Sequence, residues 1–172
     1  MPYPYDDFRV RATIWDLDDT LVCTRHRLHY IQCTKPDWMK FHEMMKEDTV
    51  IEPAKLVYQA LYRLGVMPII CTARPEAVRE PTKEFLQGNG LSYYSMFMRA
   101  NGDNRSSVEV KAEMLNEIKR QQYNVLMAFE DHPEVVDMYR QRGITCWAAD
   151  PINWTAGIGL GLSEAETNAS RS

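Results

Sequence analysis

Short apolar runs alternate with amphipathic stretches along most of this chain, and that alternation leaves few folds open. Residues 11–17 (RATIWDL), VMPIICT, SYYSMFM, NVLMAF and ITCWAA read as strands. Residues 36–47, 53–64, 76–87, 107–120 and 133–142 read as helices between and around them. The stretch 53–64 (PAKLVYQALYRL) is the clearest amphipathic helix, because Pro53 suits its first turn and Gly65 the position after its end. Lys119 and Arg120 suit the negative end of the helix at 107–120. Strands that alternate with helices predict an α/β fold, a Rossmann-like parallel sheet with helices on both faces. Such sheets bind ligands beyond the carboxyl ends of their strands.

A chain of 172 residues suits one core. The expected domain spans 1–154, with a small insertion near 23–50, and the Gly-, Ser- and Ala-rich residues 155–172 are expected to form a flexible tail. The net charge of −4 argues against a general nucleic-acid coat, although it leaves room for a local basic groove. No apolar run approaches the roughly 20 residues of a membrane span, so no membrane partner is expected. The N-terminal residues lack the pattern of a secretory signal. The 4 cysteines form no C-x-x-C pair, which favours a reducing cytoplasm.

Three of the expected strands end in polar groups, which the fold would bring to one rim: Asp16 with Asp18, Thr72 with Arg74, and Glu130 with Asp131. A carboxylate such as Asp16 can attack phosphorus and split one hard displacement into two easier ones. A second carboxylate two residues on, Asp18, can protonate the leaving oxygen and then activate water. Thr72 can donate to a phosphoryl oxygen, and Lys111 can neutralise the phosphoryl group and the nucleophile. The Glu130–Asp131 pair suits a hard cation such as Mg²⁺. Each member alone has an ordinary reading as a capping threonine, a solvated lysine or an acidic turn. The ordered set is far more specific.

That order, led by D-x-D-D-T-L at Asp16, resembles the haloacid dehalogenase superfamily across roughly residues 11–150. The stretches GDNRSSVEVKAEML and NVLMAFEDHPEVVDMYRQRGITCWAAD are more closely similar to the 3′-phosphatase domain of phage-type polynucleotide kinase-phosphatase. The resemblance implies a haloacid dehalogenase-like fold with a minimal cap, and a Mg²⁺-dependent phosphatase. Asp16 would be nucleophile and metal ligand. Asp18 would be general acid and base, with its backbone carbonyl on the metal. Thr72 and Lys111 would hold phosphoryl oxygens, Asp131 would complete the metal site, and Arg74 and Arg105 would lie near the substrate phosphate. Glu130 stands where that family usually has Asp, so its place at the metal, direct or through water, stays open. Thr72 replaces a serine. No G-x-x-x-x-G-K-[S/T] motif occurs, so kinase activity by that route is not expected.

The short stretches between Thr20 and Pro53 and between Thr72 and Lys111 leave no room for a large cap. An open site suits a polymer end, so the expected partners are 3′-phosphorylated DNA or RNA ends. The segment Arg25-His26-Arg27-Leu28-His29-Tyr30 reads as a basic loop, with Arg25 and Arg27 on backbone phosphates and Tyr30 or Trp38 stacking on a base. The alternative is a small-molecule phosphatase such as a 5′-nucleotidase.

Overall fold

The structure, a computed structural model, describes residues 9–149, so the expected tail at 155–172 lies outside the described residues. Five parallel strands form the sheet. Its elements, with those between them, are β1 (Arg11–Trp15), β2 (Val22–Cys23), α1 (Trp38–Glu43), β3 (Thr49–Val50), α2 (Glu52–Arg63), β4 (Met67–Pro75), α3 (Arg79–Gly88), β5 (Ser95–Arg99), α4 (Ser107–Arg120), β6 (Asn124–Glu130), α5 (Pro133–Gln141) and β7 (Cys146–Ala148). The strand order is β5-β4-β1-β6-β7, which puts β1 at the centre.

Apolar side chains from α4 and α5 (Val110, Leu115, Ile118, Val135, Tyr139) pack on one face of the sheet around Ile14, Ile69 and Ala128. On the other face α2 and α3 bring Ala54, Tyr58 and Leu86 against Trp15 and Ile70. The sheet is thus covered on both sides, as parallel sheets require. Helix α4 begins at a capping box, in which Ser106 accepts from the Glu109 amide and Glu109 reaches back to the Ser106 amide. That cap sets the phase that turns Lys111 inward.

The expected elements exist, with shifted bounds. Strand β4 runs on to Pro75, so Thr72 and Arg74 lie within it rather than past its end. The stretch SYYSMFM becomes strand only from Ser95, because Tyr94 spends its amide on the Pro68 carbonyl, 2.8 Å away, as a lead-in. Residues 76–87 start as a 3₁₀ turn at Glu76–Val78. Helix α1 ends at Glu43 and continues as a 3₁₀ turn over Met44–Glu47.

Past β1 the chain turns sharply. The Leu17 carbonyl accepts from the amides of Thr20, Leu21 and Val22. Asp19 has φ 57°, a left-handed conformation that a short polar side chain tolerates best after glycine. Its carboxylate holds the next turn by accepting from the Thr24 amide (3.1 Å) and hydroxyl (2.8 Å). Strands β2 and β3 then form a small antiparallel hairpin, pairing Val22 with Val50 and Cys23 with Thr49. The insertion hangs from this hairpin and contains α1 and a 3₁₀ helix over Arg25–Tyr30. The basic segment is therefore an ordered helix and not an open loop.

Candidate active site

The carboxyl ends of β1, β4 and β6 and the first turns of α4 meet beneath one open cavity of about 580 Å³. Two charged groups floor it, and they differ in balance.

The first group is Asp16, Glu130, Asp131 and Lys111. Carboxylate oxygens of Asp16, Glu130 and Asp131 lie within 4.8 Å of one another. The Lys111 ammonium, 3 % exposed, donates to Asp16 Oδ1 and to Glu130 Oε2, both at 2.6 Å. Glu130 Oε1 also accepts from the His132 amide at 3.2 Å. Burial pushes Asp16 up to about 7 against the pull of Lys111, with Asp131 and Asp18 adding to the rise. Burial likewise lifts Glu130 to about 7, helped by Asp16, and Asp131 to about 7, helped by Glu130. Burial works against the charge on Lys111, yet Asp16 and Glu130 outweigh it and raise its proton affinity. One ammonium does not balance three carboxylates, and the surplus is what a hard divalent cation with oxygen ligands neutralises. The donor set therefore fits Mg²⁺.

The second group is Asp18, Arg27, Arg74 and Asp48, and its formal charges cancel. Arg27 Nη2 donates to Asp18 Oδ1 at 2.7 Å. Arg74 donates to Asp18 from Nη2 (2.5 Å to Oδ1) and from Nε (3.0 Å to Oδ2). Both guanidinium groups also reach Asp48. Burial opposes the Asp18 charge, but Arg74 and Arg27 prevail and hold its carboxyl down at about 2. The Asp18 carboxylate is not among the three clustered acidic groups, Asp16, Glu130 and Asp131.

The remaining sequence candidates are spread more widely. Thr72 is fully buried, and its hydroxyl accepts from the Arg74 amide at 3.2 Å. It is absent from the cavity wall, where Ala73 and Arg74 stand, because β4 continues past it. Arg105 is half-exposed on the rim, where it pairs with Asp103 and Glu113. Arg25 is exposed at the start of the 3₁₀ helix. Arg27 corrects the sequence expectation outright. Its guanidinium is fully buried, lies 4.0 Å from the centre of the Phe41 ring and is spent on Asp18 and Asp48. It supports the turn after β1, because α1 closes over it and leaves it no face toward solvent.

Sequence reasoning passed over Asp48 and Arg99. Arg99 organises the rim by donating to the Ala73 carbonyl at 3.1 Å and the Arg105 carbonyl at 2.6 Å. A lone Asp before a short strand and an Arg at a strand end carry no periodic signal that would single them out.

Residues 10–154 match the family model described as the polynucleotide kinase PNKP phosphatase domain. The chain belongs to that family. It is a phosphatase of haloacid dehalogenase type, and its solved neighbours share its fold. A chain of the Pnkp1/Rnl/Hen1 RNA repair complex superposes with a TM-score of 0.72 at 28 % identity, over 83 % of this chain and 43 % of that one. This phosphatase thus spans under half the length of that neighbour. A haloacid dehalogenase-like hydrolase from Streptococcus pneumoniae (TM-score 0.57, 14 % identity, 95 % of this chain and 99 % of that one) shares the fold. So does a putative phosphatase from Clostridium difficile (TM-score 0.56, 16 % identity, 81 % of this chain and 85 % of that one). Among the described residues of this family member, no helix is long and apolar enough to cross a membrane.

Proposed function

We propose that this phosphatase is a Mg²⁺-dependent polynucleotide 3′-phosphatase that works through an aspartyl-phosphate. The observation that carries the reading is the cavity above Asp16. It is open, with an aromatic and apolar wall from the insertion (Leu28, Ile31, Trp38) facing a polar wall that includes Arg99, Asn104 and Arg105. Trp38 is 56 % exposed and braced edge-on by Phe41, 5.8 Å away. An exposed tryptophan at a phosphate site suits a nucleobase, and open walls admit the strand behind it.

Asp16, Asp131 and the Asp18 backbone would hold the metal, with Glu130 in contact directly or through water. When bound, the cation cancels charge between the nucleophilic carboxylate and the phosphoryl dianion. In the first step an Asp16 oxygen bonds to phosphorus, and the ester P–O bond breaks with its electron pair passing to the leaving oxygen. That oxygen takes the proton of Asp18. A monoester arriving as its monoanion, whose second pKa is about 6, supplies this proton; its passage through a carboxylate held at about 2 is uphill and is completed only as the leaving oxygen takes it up. Asp18 then accepts a proton from water as the water oxygen attacks phosphorus, which releases phosphate and restores Asp16. Arg74 Nη1 is buried without a hydrogen-bond partner, and it supplies a donor for a phosphoryl oxygen entering the cavity. Lys111 holds Asp16 in place.

The reading predicts kcat/KM on 3′-phosphorylated oligonucleotides at least about 10-fold above that on 5′-phosphorylated ones and on free nucleoside monophosphates. The reverse order would transfer the site to small molecules of the 5′-nucleotide kind. Trp38→Ala should raise KM for the oligonucleotide by about 10-fold, the scale of one lost base stack. p-Nitrophenyl phosphate has no base to stack, and its KM should move far less. Arg25 and Arg105 are the proposed backbone contacts, and their contribution should fade as salt rises. Arg27→Ala should lower turnover of every substrate, because it unseats Asp18.

The metal has a test independent of activity. The raised carboxyls of Asp16, Glu130 and Asp131 favour folding most below their ordinary range near pH 4. That contribution is lost as pH rises through about 7. Without metal, the protein should therefore melt at a lower temperature at pH 8 than at pH 5.5. Mg²⁺ needs the ionised carboxylates, so it should raise the melting temperature more at pH 8. At a hundredfold excess over Kd the gain is about 2.7 kcal/mol. Equal or absent shifts at the two pH values would remove the metal from this site.

A further inference from the structure

Within the second charged group, one carboxylate touches no cavity wall. Asp48 ends the 3₁₀ turn Met44–Glu47 just before β3, and its side chain is fully buried. It accepts from Arg27 Nε at 2.7 Å, from Arg27 Nη2 at 2.8 Å and from Arg74 Nη2 at 2.8 Å. Arg27 comes from the insertion and Arg74 from β4, so Asp48 joins two separate parts of the fold. The Nη2 atoms of the same two guanidinium groups also donate to the Asp18 carboxylate. Charges alternate through the quartet as acid, base, acid, base. Removing Asp48 leaves two buried cations sharing one carboxylate, with Arg27 held otherwise by the Phe41 carbonyl and ring, so the angle from which they approach Asp18 is less fixed.

We propose that Asp48 is a positioning residue for proton transfer to the leaving group: it seats Arg27 and Arg74 where together they aim the Asp18 carboxyl. The proposal rests on the reading of Asp18 as general acid. It gives the insertion a part in catalysis besides walling the cavity, because the insertion supplies both Arg27 and Asp48.

Leaving-group chemistry supplies the test. A sugar alkoxide needs a proton as it leaves, whereas p-nitrophenolate does not. The full chain with saturating Mg²⁺ is used at enzyme excess, so that only the first turnover is read. The alkyl substrate is a 3′-phosphorylated oligonucleotide, or a nucleoside monophosphate if the wild type prefers it. Asp48→Asn should slow the alkyl reaction by about 10²-fold, the scale of a lost general acid. The nitrophenolate burst should slow by less than about 5-fold. Equal losses on the two substrates would make Asp48 a scaffold residue and overturn the proposal, as would no loss on either. If circular dichroism shows Asp48→Asn unfolded, Asp48→Glu keeps the buried charge but moves it by one methylene, and the same ratio decides. Asp18→Asn, run alongside, separates the two ideas. An unselective loss there sinks the acid assignment itself. A selective loss in Asp18→Asn with an unselective one in the Asp48 variant sinks only the role of Asp48.

Discussion

Asp16→Asn is expected to leave a folded protein with no turnover above background, a loss of at least about 10³-fold. The amide oxygen is too weak a nucleophile to form the bond to phosphorus. The change also removes one of the three clustered acidic groups proposed to hold the metal. The fold should survive, because an amide oxygen can still accept from Lys111, and a neutral amide is spared the burial, and the neighbouring Asp131 and Asp18 charges, that push the Asp16 carboxyl up to about 7. The metal-free variant should therefore melt no earlier than the wild type at pH 8, while Mg²⁺ stabilises it less. Trapping with labelled substrate should find an acid-stable phosphorylated chain in a slow variant such as Asp18→Asn, and none in Asp16→Asn. Substantial turnover by purified Asp16→Asn would show that another group, or water itself, attacks phosphorus.

Much of this site was legible because chemistry and periodicity agreed. The alternation of strands and helices placed Asp16 and Glu130–Asp131 at one rim, and the parallel sheet brings them together there. Lys111 carried a signal in its phase. It stands four residues before Leu115 and seven before Ile118, both fully buried, so a lysine on that stripe had to point into the protein. The insertion was not legible in the same way. Arg25 and Arg27 look alike in sequence, yet one is exposed and the other fully buried. What separates them is a pairing with Asp48, 21 residues further on, across a segment with no repeating pattern. Long-range ion pairs leave no trace in local periodicity. Thr72 shows the related difficulty at a strand end. The apolar run stops near it, but β4 pairs with β5 as far as Pro75, and the residue that reaches the cavity is Arg74.

Lys111→Ala is expected to lower turnover by at least about 10²-fold, the scale of one preorganised electrostatic contact. It should also reshape stability in a way that identifies the cause. The wild-type ammonium sits between Asp16 and Glu130 and holds their raised proton affinities in check. Without it, both carboxyls rise further, so the folded state keeps its protons to higher pH than the unfolded chain does. The stability these groups contribute is fully present below about pH 4 and is lost as pH rises through their folded values, at 7 and beyond. The variant should therefore lie close to the wild type at pH 5 and fall well below it at pH 8, by roughly 3 kcal/mol for a broken buried pair. Mg²⁺ should recover part of that stability, since it can stand in for the missing positive charge, but it should not recover turnover. Lys111→Met separates charge from packing by keeping a long apolar stem on the stripe with Leu115 and Ile118. It should show the same loss of activity and the same pH slope as Lys111→Ala. A pH-independent loss of stability with turnover reduced only a few-fold would mean that Lys111 acts by filling space, and that the Asp16 carboxylate finds its orientation from the metal alone.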